Sequence, residues 1–129
     1  MTNAKGNDMS ILKGIKSEID IKCIAQVNGD CGTVTDVPFV ATFRTMTTTQ
    51  RKEWREKRGR TADTTPWLLD QASDVREYLV GWKEFPTTTG EPLPFTPENV
   101  DMVLDAIEYC EALWVGFLHL VNGTAKQKN

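Results

Sequence analysis

The chain has 129 residues, which suffices for one domain with a hydrophobic core and leaves little for a second. Hydrophobic residues make up 40% and charged residues 26% of the chain, a composition that excludes a disordered protein. The net charge of −3 argues against a nucleic-acid-binding domain, and no apolar run approaches the about 18 residues of a membrane span. The polar N-terminus lacks the apolar stretch of a signal peptide, so we expect a cytoplasmic protein.

The three cysteines, Cys23, Cys31 and Cys110, are odd in number and have no metal-like spacing. A disulfide between Cys23 and Cys31 is conceivable across a hairpin, but the cytosol keeps thiols reduced. We therefore expect free, unreactive thiols, and neither a metal nor a cofactor.

Residues 1–18 are predicted as a flexible N-terminal arm, residues 19–122 as one α+β domain and residues 123–129 as a polar tail. The domain is expected to begin with a β-hairpin, because apolar and polar residues alternate on both sides of the turn signal Asn28-Gly29. Pro38 cannot donate a ladder hydrogen bond and predicts an edge or a bend where the second strand starts. The apolar face is formed by Ile19, Ile21, Cys23, Ala25, Val27, Val37, Phe39, Ala41 and Phe43. Two strands alone are marginally stable, so we expect a third strand from elsewhere, from another subunit included, or tight cover by helices.

A short basic helix is predicted after the hairpin. Thr47 and Gln50 have the spacing of a capping box, and the helix should end near Arg58, before a loop at residues 59–64. Residues 50–60 hold six basic and two acidic residues, a local charge of +4 that leaves −7 for the rest of the chain. We predict that Arg51, Arg55 and Arg58 bind an acidic protein surface, and that replacing them with Glu slows association without changing the fold.

A second helix is predicted over residues 66–82. Thr65 is placed as its N-cap and Pro66 at its first position. Apolar residues then follow at spacings of 4, 3, 4 and 3, which places them on one face of an amphipathic helix: Leu68, Ala72, Val75, Leu79 and Trp82.

A terminal helix is predicted from the Thr96-Pro97 cap to about Val121, where Asn122-Gly123 stops it. At 100° per residue, its core stripe contains Val100, Val103, Ile107, Cys110, Trp114, Phe117, Leu118 and Val121. A second apolar stripe contains Met102, Tyr109, Leu113 and Leu120. This second stripe is predicted either to bind a client or a second copy of the chain, or to be covered by the chain's own arm or hairpin.

The overall expectation is a hairpin packed against three or four mostly amphipathic helices. The predicted core is Ile21, Cys23, Phe39, Phe43, Leu68, Val75, Leu79, Trp82, Val103, Ile107, Trp114 and Phe117.

Residues that could carry catalysis are sparse. His119 is the only histidine, and on one helix it and Cys110 point to different faces. Two sets of carboxylates recur at helical spacing opposite the apolar stripes, which is typical of a solvated face: Asp70, Asp74 and Glu77, then Asp101, Asp105 and Glu108. No phosphate-binding loop, zinc spacing or nucleophile elbow is present in the sequence. We therefore predict a protein that binds other proteins and is not an enzyme.

The order of the parts resembles the tail assembly chaperones of tailed bacteriophages. The likeness covers residues 20–122 and rests on three stretches: residues 39–44 (FVATFR), 78–82 (YLVGW) and 90–99 (GEPLPFTPEN). The last two stretches are the most specific. Similar proteins break the final helix soon after the position of Asp105, whereas residues 106–113 here contain no helix breaker.

The resemblance implies a protein that coats the tape-measure protein, recruits tail-tube subunits in the host cell cytoplasm and is absent from the finished virion. It also implies self-association and, in many relatives, a longer form made by ribosomal frameshifting. The main alternative is a head–tail connector or tail-completion protein that stays in the virion. A host-directed inhibitor or a DNA-binding regulator is a third reading, which a genome neighbourhood without tail genes would favour.

Overall fold

The structure is a computed structural model that describes residues 11–61 and 67–123, with the side chains of residues 60–61 and 67–70 excepted. The predicted α+β class is confirmed, because a three-stranded antiparallel sheet packs against four helices. The elements are β1 (Glu18–Asn28), β2 (Val34–Arg44), α1 (Thr48–Thr61), α2 (Trp67–Tyr78), β3 (Leu79–Lys83), α3 (Pro97–Asp105) and α4 (Ile107–Asn122).

The hairpin forms in the predicted phase. Ile21 lies opposite Ala41 and Cys23 opposite Phe39, and all four side chains are buried, while their neighbours along each strand face outward. The connection is a single 3-10 turn, Asp30–Gly32, with Cys31 in the left-handed region at φ 57°. The alternation of the sequence therefore places one side of the hairpin in the core.

Two backbone hydrogen bonds fix which peptide groups of β1 point toward β2. At one end the Gly29 N–H donates to the Thr33 carbonyl at 2.8 Å, and at the other the Thr45 N–H donates to the Ser17 carbonyl at 2.9 Å. Hydrogen-bonded pairs alternate with non-hydrogen-bonded pairs along an antiparallel ladder. The odd-numbered residues of β1 therefore bond to β2, and the peptide groups of its even-numbered residues face away from β2.

Pro38 occupies a position that suits it. It lies opposite Ile24 in a non-hydrogen-bonded pair, so its missing N–H costs no bond to β1. Its nitrogen faces the other side of β2, where the pairing with β3 begins only at Val40. The predicted edge at the start of the second strand is confirmed.

The third strand comes from within the chain. Leu79 and Trp82 were predicted on the second helix, but that helix ends at Tyr78 and both residues lie in β3, opposite Phe43 and Ala41. The helical assignment of residues 79–82 is thus wrong. A spacing of three or four residues fits a helix and, over so short a stretch, does not exclude a strand; pairing with β2 decides in favour of the strand.

The N-terminus of α1 has the predicted capping box. The Gln50 N–H donates to Thr47 Oγ1 at 3.1 Å, and the Thr47 N–H donates to Gln50 Oε1 at 2.9 Å. The helix continues through Gly59 to Thr61, so the loop predicted at residues 59–61 is wrong. The cap predicted at Thr65 and Pro66 lies outside the described residues.

The terminal helix is broken, contrary to the prediction of one continuous helix. Ala106 is extended (φ −87°, ψ 115°) and separates α3 from α4 without any proline or glycine. Its N–H donates to the Val103 carbonyl at 3.2 Å, and its own carbonyl accepts from the Cys110 N–H at 2.8 Å. The break allows the apolar residues of α3 and those of α4 to face one core, and this packing outweighs local helix propensity. The predicted cap at Thr96 is confirmed, because its Oγ1 accepts from the Asn99 N–H at 3.1 Å.

Beyond the break the predicted core stripe is largely confirmed, because Cys110, Trp114, Phe117 and Val121 are buried and Leu118 is partly buried. Ile107, predicted in the core, is 49% exposed, whereas Leu113 and Leu120 of the second stripe are buried at 0% and 8% exposure. The alternative that the chain covers this stripe itself therefore holds for these two residues.

The core forms around α4, which lies between the sheet and the other helices. Of the predicted core residues, nine are buried: Ile21, Cys23, Phe39, Phe43, Val75, Leu79, Val103, Trp114 and Phe117. Trp82 is partly buried, and the side chain of Leu68 lies outside the described residues.

Candidate protein-binding surfaces

Arg58 turns inward instead of forming a binding surface. Its guanidinium lies 5.0 Å from the Trp114 ring centroid and 5.8 Å from that of Trp54, and its side chain is only 24% exposed. Its Nη1 is 3.7 Å from Asp74 Oδ2. Arg58 therefore joins α1 to α2 and α4, so we now expect its replacement by Glu to destabilise the fold, whereas the sequence alone predicted an unchanged fold.

The exposed charge of α1 is much smaller than the sequence implied. Arg51 is half-buried, and its Nε has no hydrogen-bond partner among the described residues. Arg55 is exposed and donates from Nη2 to Asn122 Oδ1 at 3.3 Å. Among the described side chains of this helix, three exposed cations face two exposed carboxylates: Lys52, Arg55 and Lys57 against Glu53 and Glu56. The exposed charge of these described side chains is thus +1, and the sequence count of +4 also includes Arg60, whose side chain lies outside them.

Asp74, the partner of Arg58, does not lie on a solvated face as the sequence predicted. Asp74, predicted on a solvated face, is 1% exposed. One turn earlier on α2, Gln71 is fully buried and neither of its amide atoms has a hydrogen-bond partner among the described residues. The polar side of α2 therefore faces the helices around it at these two positions.

The residues of the predicted second stripe do not form one surface. Met102 is 55% exposed and lines a groove between α2 and α3, beside an ion pair in which Arg76 Nη2 is 2.8 Å from Asp101 Oδ1. Tyr109 packs at 5.7 Å from Phe39, between ring centroids, and desolvation raises the pKa of its hydroxyl. Leu113 and Leu120 lie in the core, whereas Met102 is exposed and Tyr109 is half-buried, and the role of these two residues in binding stays a prediction.

The motif of residues 78–99 is a structural unit. Trp82 donates from Nε1 to the Leu93 carbonyl at 2.7 Å and packs against Phe85 and Phe95, with ring centroids 4.7 and 4.8 Å away. The Asn99 side-chain amide donates to the Pro94 carbonyl at 2.8 Å. The motif therefore holds the start of α3 against β3.

Two of the three thiols are buried and one is exposed. Cys23 and Cys110 are buried, and desolvation raises the pKa of both, for Cys23 to about 12. Such thiols remain protonated and unreactive. Cys31 is exposed on the hairpin turn. Within residues 11–61 and 67–123, no group of three or more His, Cys, Asp or Glu side chains could hold a metal ion.

One surface was missed by the sequence reasoning, the groove between β1 and α4. It measures about 330 Å³ and is lined by residues 22–26 of β1, except Ala25, and by α4 residues that include Glu108, Glu111, Val115 and His119. Ile107, Glu111 and Val115 recur at intervals of four on the exposed side of α4. The sequence alone does not reveal this groove, because its two walls, β1 and α4, lie far apart in the chain.

In the part of the chain that the structure describes, no helix is long and apolar enough to cross a membrane. Comparison with protein-family models, with curated proteins and with solved structures found no match.

Proposed function

We propose that this protein is a phage tail assembly chaperone, which binds the tape-measure protein and recruits tail-tube subunits without remaining in the virion. The observation that carries the proposal is the break at Ala106. In similar proteins the final helix is broken soon after the position of Asp105, whereas the sequence of this chain contains no helix breaker there. The structure has a break at Ala106 despite the absence of a helix breaker, so this difference from the family no longer stands against the proposal.

The specific motif of the resemblance supports the proposal in a second way. Its two parts meet in space, because the Trp82 indole hydrogen-bonds to Leu93 and packs against Phe95. A motif that sets the angle between β3 and α3 belongs to the scaffold of a fold, which is the kind of feature that a family shares.

We propose that partner proteins bind to two exposed surfaces of the helices and not to an enclosed pocket. The groove between α2 and α3 presents Met102 beside the Arg76–Asp101 pair, and α1 presents Lys52 and Arg55. An apolar side chain with a charged rim is typical of a transient protein interface. We therefore place client binding on the helical side of the domain.

The first test is composition of the particle. Mass spectrometry of purified virions should detect the tape-measure and tube proteins and lack this chain, while the same measurement on infected-cell lysate detects it. Retention of the chain in virions at a fixed copy number would contradict the proposal and favour a connector or tail-completion protein.

The second test is direct binding to the tape-measure protein. Met102→Glu should weaken binding about tenfold or more if the α2–α3 groove contacts the client, because a buried carboxylate at an apolar contact is costly. Val34→Glu is a matched control, since Val34 is equally exposed but lies on the hairpin. Equal affinity of the two variants would remove the groove from the interface.

The charge of α1 is tested with exposed residues only. Replacing Lys52 and Arg55 with Glu should reduce the association rate about two- to tenfold at low salt and flatten its salt dependence. Glu53→Gln with Glu56→Gln is the opposite control and should raise the rate. Unchanged rates in both would exclude α1 as a steering surface.

A further inference from the structure

We propose that the groove between β1 and α4 binds an extended, basic segment of a partner protein, which adds a fourth strand to the sheet at the free edge of β1. The inference is independent of the proposed function, because it concerns a different surface and holds for any partner with this chemistry.

The backbone of β1 provides the first argument. In the described part of the chain, β1 pairs only with β2, and no hydrogen bond reaches the edge-facing N–H groups of Asp20, Lys22, Ile24 and Gln26. β1 is an 11-residue edge strand without proline, and none of its ladder with β2 is bulged. Long unpaired edges of this kind are templates for strand addition.

The shape of the groove provides the second argument. It follows β1 from Lys22 to Gln26, a length of about 13 Å at about 3.3 Å per residue, and α4 forms its other wall. An added strand would lie about 4.8 Å from β1, with every second side chain directed toward α4 at Ala112 and Val115. Val115 is 52% exposed, so this wall offers an apolar contact to the added strand.

The same geometry selects a single segment over a second copy of the chain. α4 lies close above β1, since a Cβ built on Gly116 would be 2.9 Å from Cys23 Sγ. Antiparallel pairing of β1 with a second β1 would place both copies of α4 on one face of the joined sheet. Helices need about 8–10 Å between their axes, which strands about 4.8 Å apart do not provide.

Charge decides the chemistry of the segment. Glu108 and Glu111 line the α4 wall and make no ion pair with any described residue, and Lys22 is the only lysine or arginine among the described residues that line the groove. Inward-facing side chains of the added strand therefore meet two carboxylates and a small apolar surface. Lysine or arginine alternating with valine-sized residues satisfies both.

The test uses blocked ten-residue peptides that alternate threonine with lysine and valine, and a matched peptide with glutamate in place of lysine. We expect the lysine peptide to bind at least about tenfold more tightly than the glutamate peptide. Its binding should shift the backbone amide resonances of Lys22, Ile24 and Gln26 in a ¹⁵N-labelled protein. Absence of binding by both peptides, or equal binding, would overturn the proposal.

Two variants separate the backbone from the charge. Ile24→Pro removes an edge-facing N–H but no bond to β2, so the fold should persist while peptide affinity falls about tenfold or more. The control variant Ile24→Ala keeps this N–H and should change peptide affinity by less than about threefold. Glu108→Gln with Glu111→Gln should abolish the preference for lysine, and it serves as the deciding readout if the proline variant does not fold. Persistence of that preference would overturn the charge argument. Concentration-dependent dimerisation that Ile24→Pro abolishes would also overturn the proposal, in favour of a second copy.

Discussion

The two sides of α4 are packed by different means. The side that faces the sheet approaches β1 through Gly116, whose lack of a side chain leaves room for the strand residues below it. The side that faces α1 and α2 carries bulk, because Trp114 and Phe117 stack at 5.5 Å between ring centroids and both contact Trp54. Beside these rings lies the Arg58–Asp74 contact, whereas none of the described residues buried on the sheet side is charged.

This difference predicts opposite sensitivities. Substitutions on the sheet side should be tolerated better when they reduce side-chain volume than when they increase it, because α4 and β1 lie close together there. The helix side should be sensitive to loss of aromatic volume and to loss of charge, because its contacts come from large rings and a buried carboxylate.

The largest effect is expected at Phe117, which contacts both the sheet and the helices that pack on the other side of α4. It is fully buried and packs against Phe43 of the sheet at 6.3 Å and against Tyr78 of α2 at 5.5 Å, between ring centroids. Phe117→Ala should reduce the free energy of unfolding by about 3–5 kcal/mol. Denaturant unfolding measures this, with the exposed Val115→Ala as the control on the same helix. Equal losses in the two variants would contradict the central place of α4.

The next effect is expected at the Arg58–Asp74 contact. Arg58→Met keeps most of the packing on Trp114 but removes a cation from beside a carboxylate that is 1% exposed, so the free energy of unfolding should fall by about 2–3 kcal/mol. Asp74→Asn should cost less, because the Arg58 side chain is 24% exposed and retains some contact with water, whereas Asp74 is almost fully buried. Denaturant unfolding of the two variants decides this order, and a larger loss for Asp74→Asn would show that the guanidinium is the more desolvated partner.

The sheet side is tested by adding volume. Gly116→Ala places a methyl group 2.9 Å from Cys23 Sγ and should cost about 1–3 kcal/mol of unfolding free energy. Cys23→Ala removes that sulfur, so the double variant should recover part of the loss. A double-mutant cycle by thermal unfolding gives the coupling. Additive losses would mean that the close approach is limited by Ile21 or Phe43 instead.

The hairpin and the terminal helices show which parts of the fold the sequence could predict. The hairpin was placed in phase because alternation has a period of two and a turn fixes its register, so Ile21, Cys23 and Phe39 came out buried as expected. In the terminal segment one extended residue, Ala106, divides the predicted helix into α3 and α4, and Ile107 beside it is exposed although it was predicted in the core. No local signal marks Ala106, since its conformation is set by packing of α3 and α4 on one core.

The candidate site was less predictable than the fold for the same physical reason. Counting charges on α1 gave +4, but which of them face water depends on the Trp54 and Trp114 rings that draw Arg58 inward. The groove beside β1 depends on where α4 lies over the sheet, which involves residues far apart in the chain. Surfaces built from distant elements leave no contiguous pattern in a sequence.

The outer face of the sheet, which lies away from α4, is expected to contribute little to stability, so the smallest predicted effect lies there. On that face the Lys83 side chain donates to Asp20 Oδ2 at 2.7 Å and the Thr42 hydroxyl to Oδ1 at 2.8 Å, which lowers the pKa of Asp20 below its usual 3.8. A carboxyl group with a lowered folded-state pKa stabilises the fold above pH 3.8 and loses that contribution as the pH falls through the folded-state value. Because the pair is exposed, Asp20→Asn should lower the melting temperature at pH 7 by no more than about 4 °C, and the difference from the wild type should shrink as the pH falls below 3.8. Thermal melts from pH 2 to pH 7 measure both quantities. A loss as large as that of Phe117→Ala would place a major part of the stability on the outer face and invalidate the comparison.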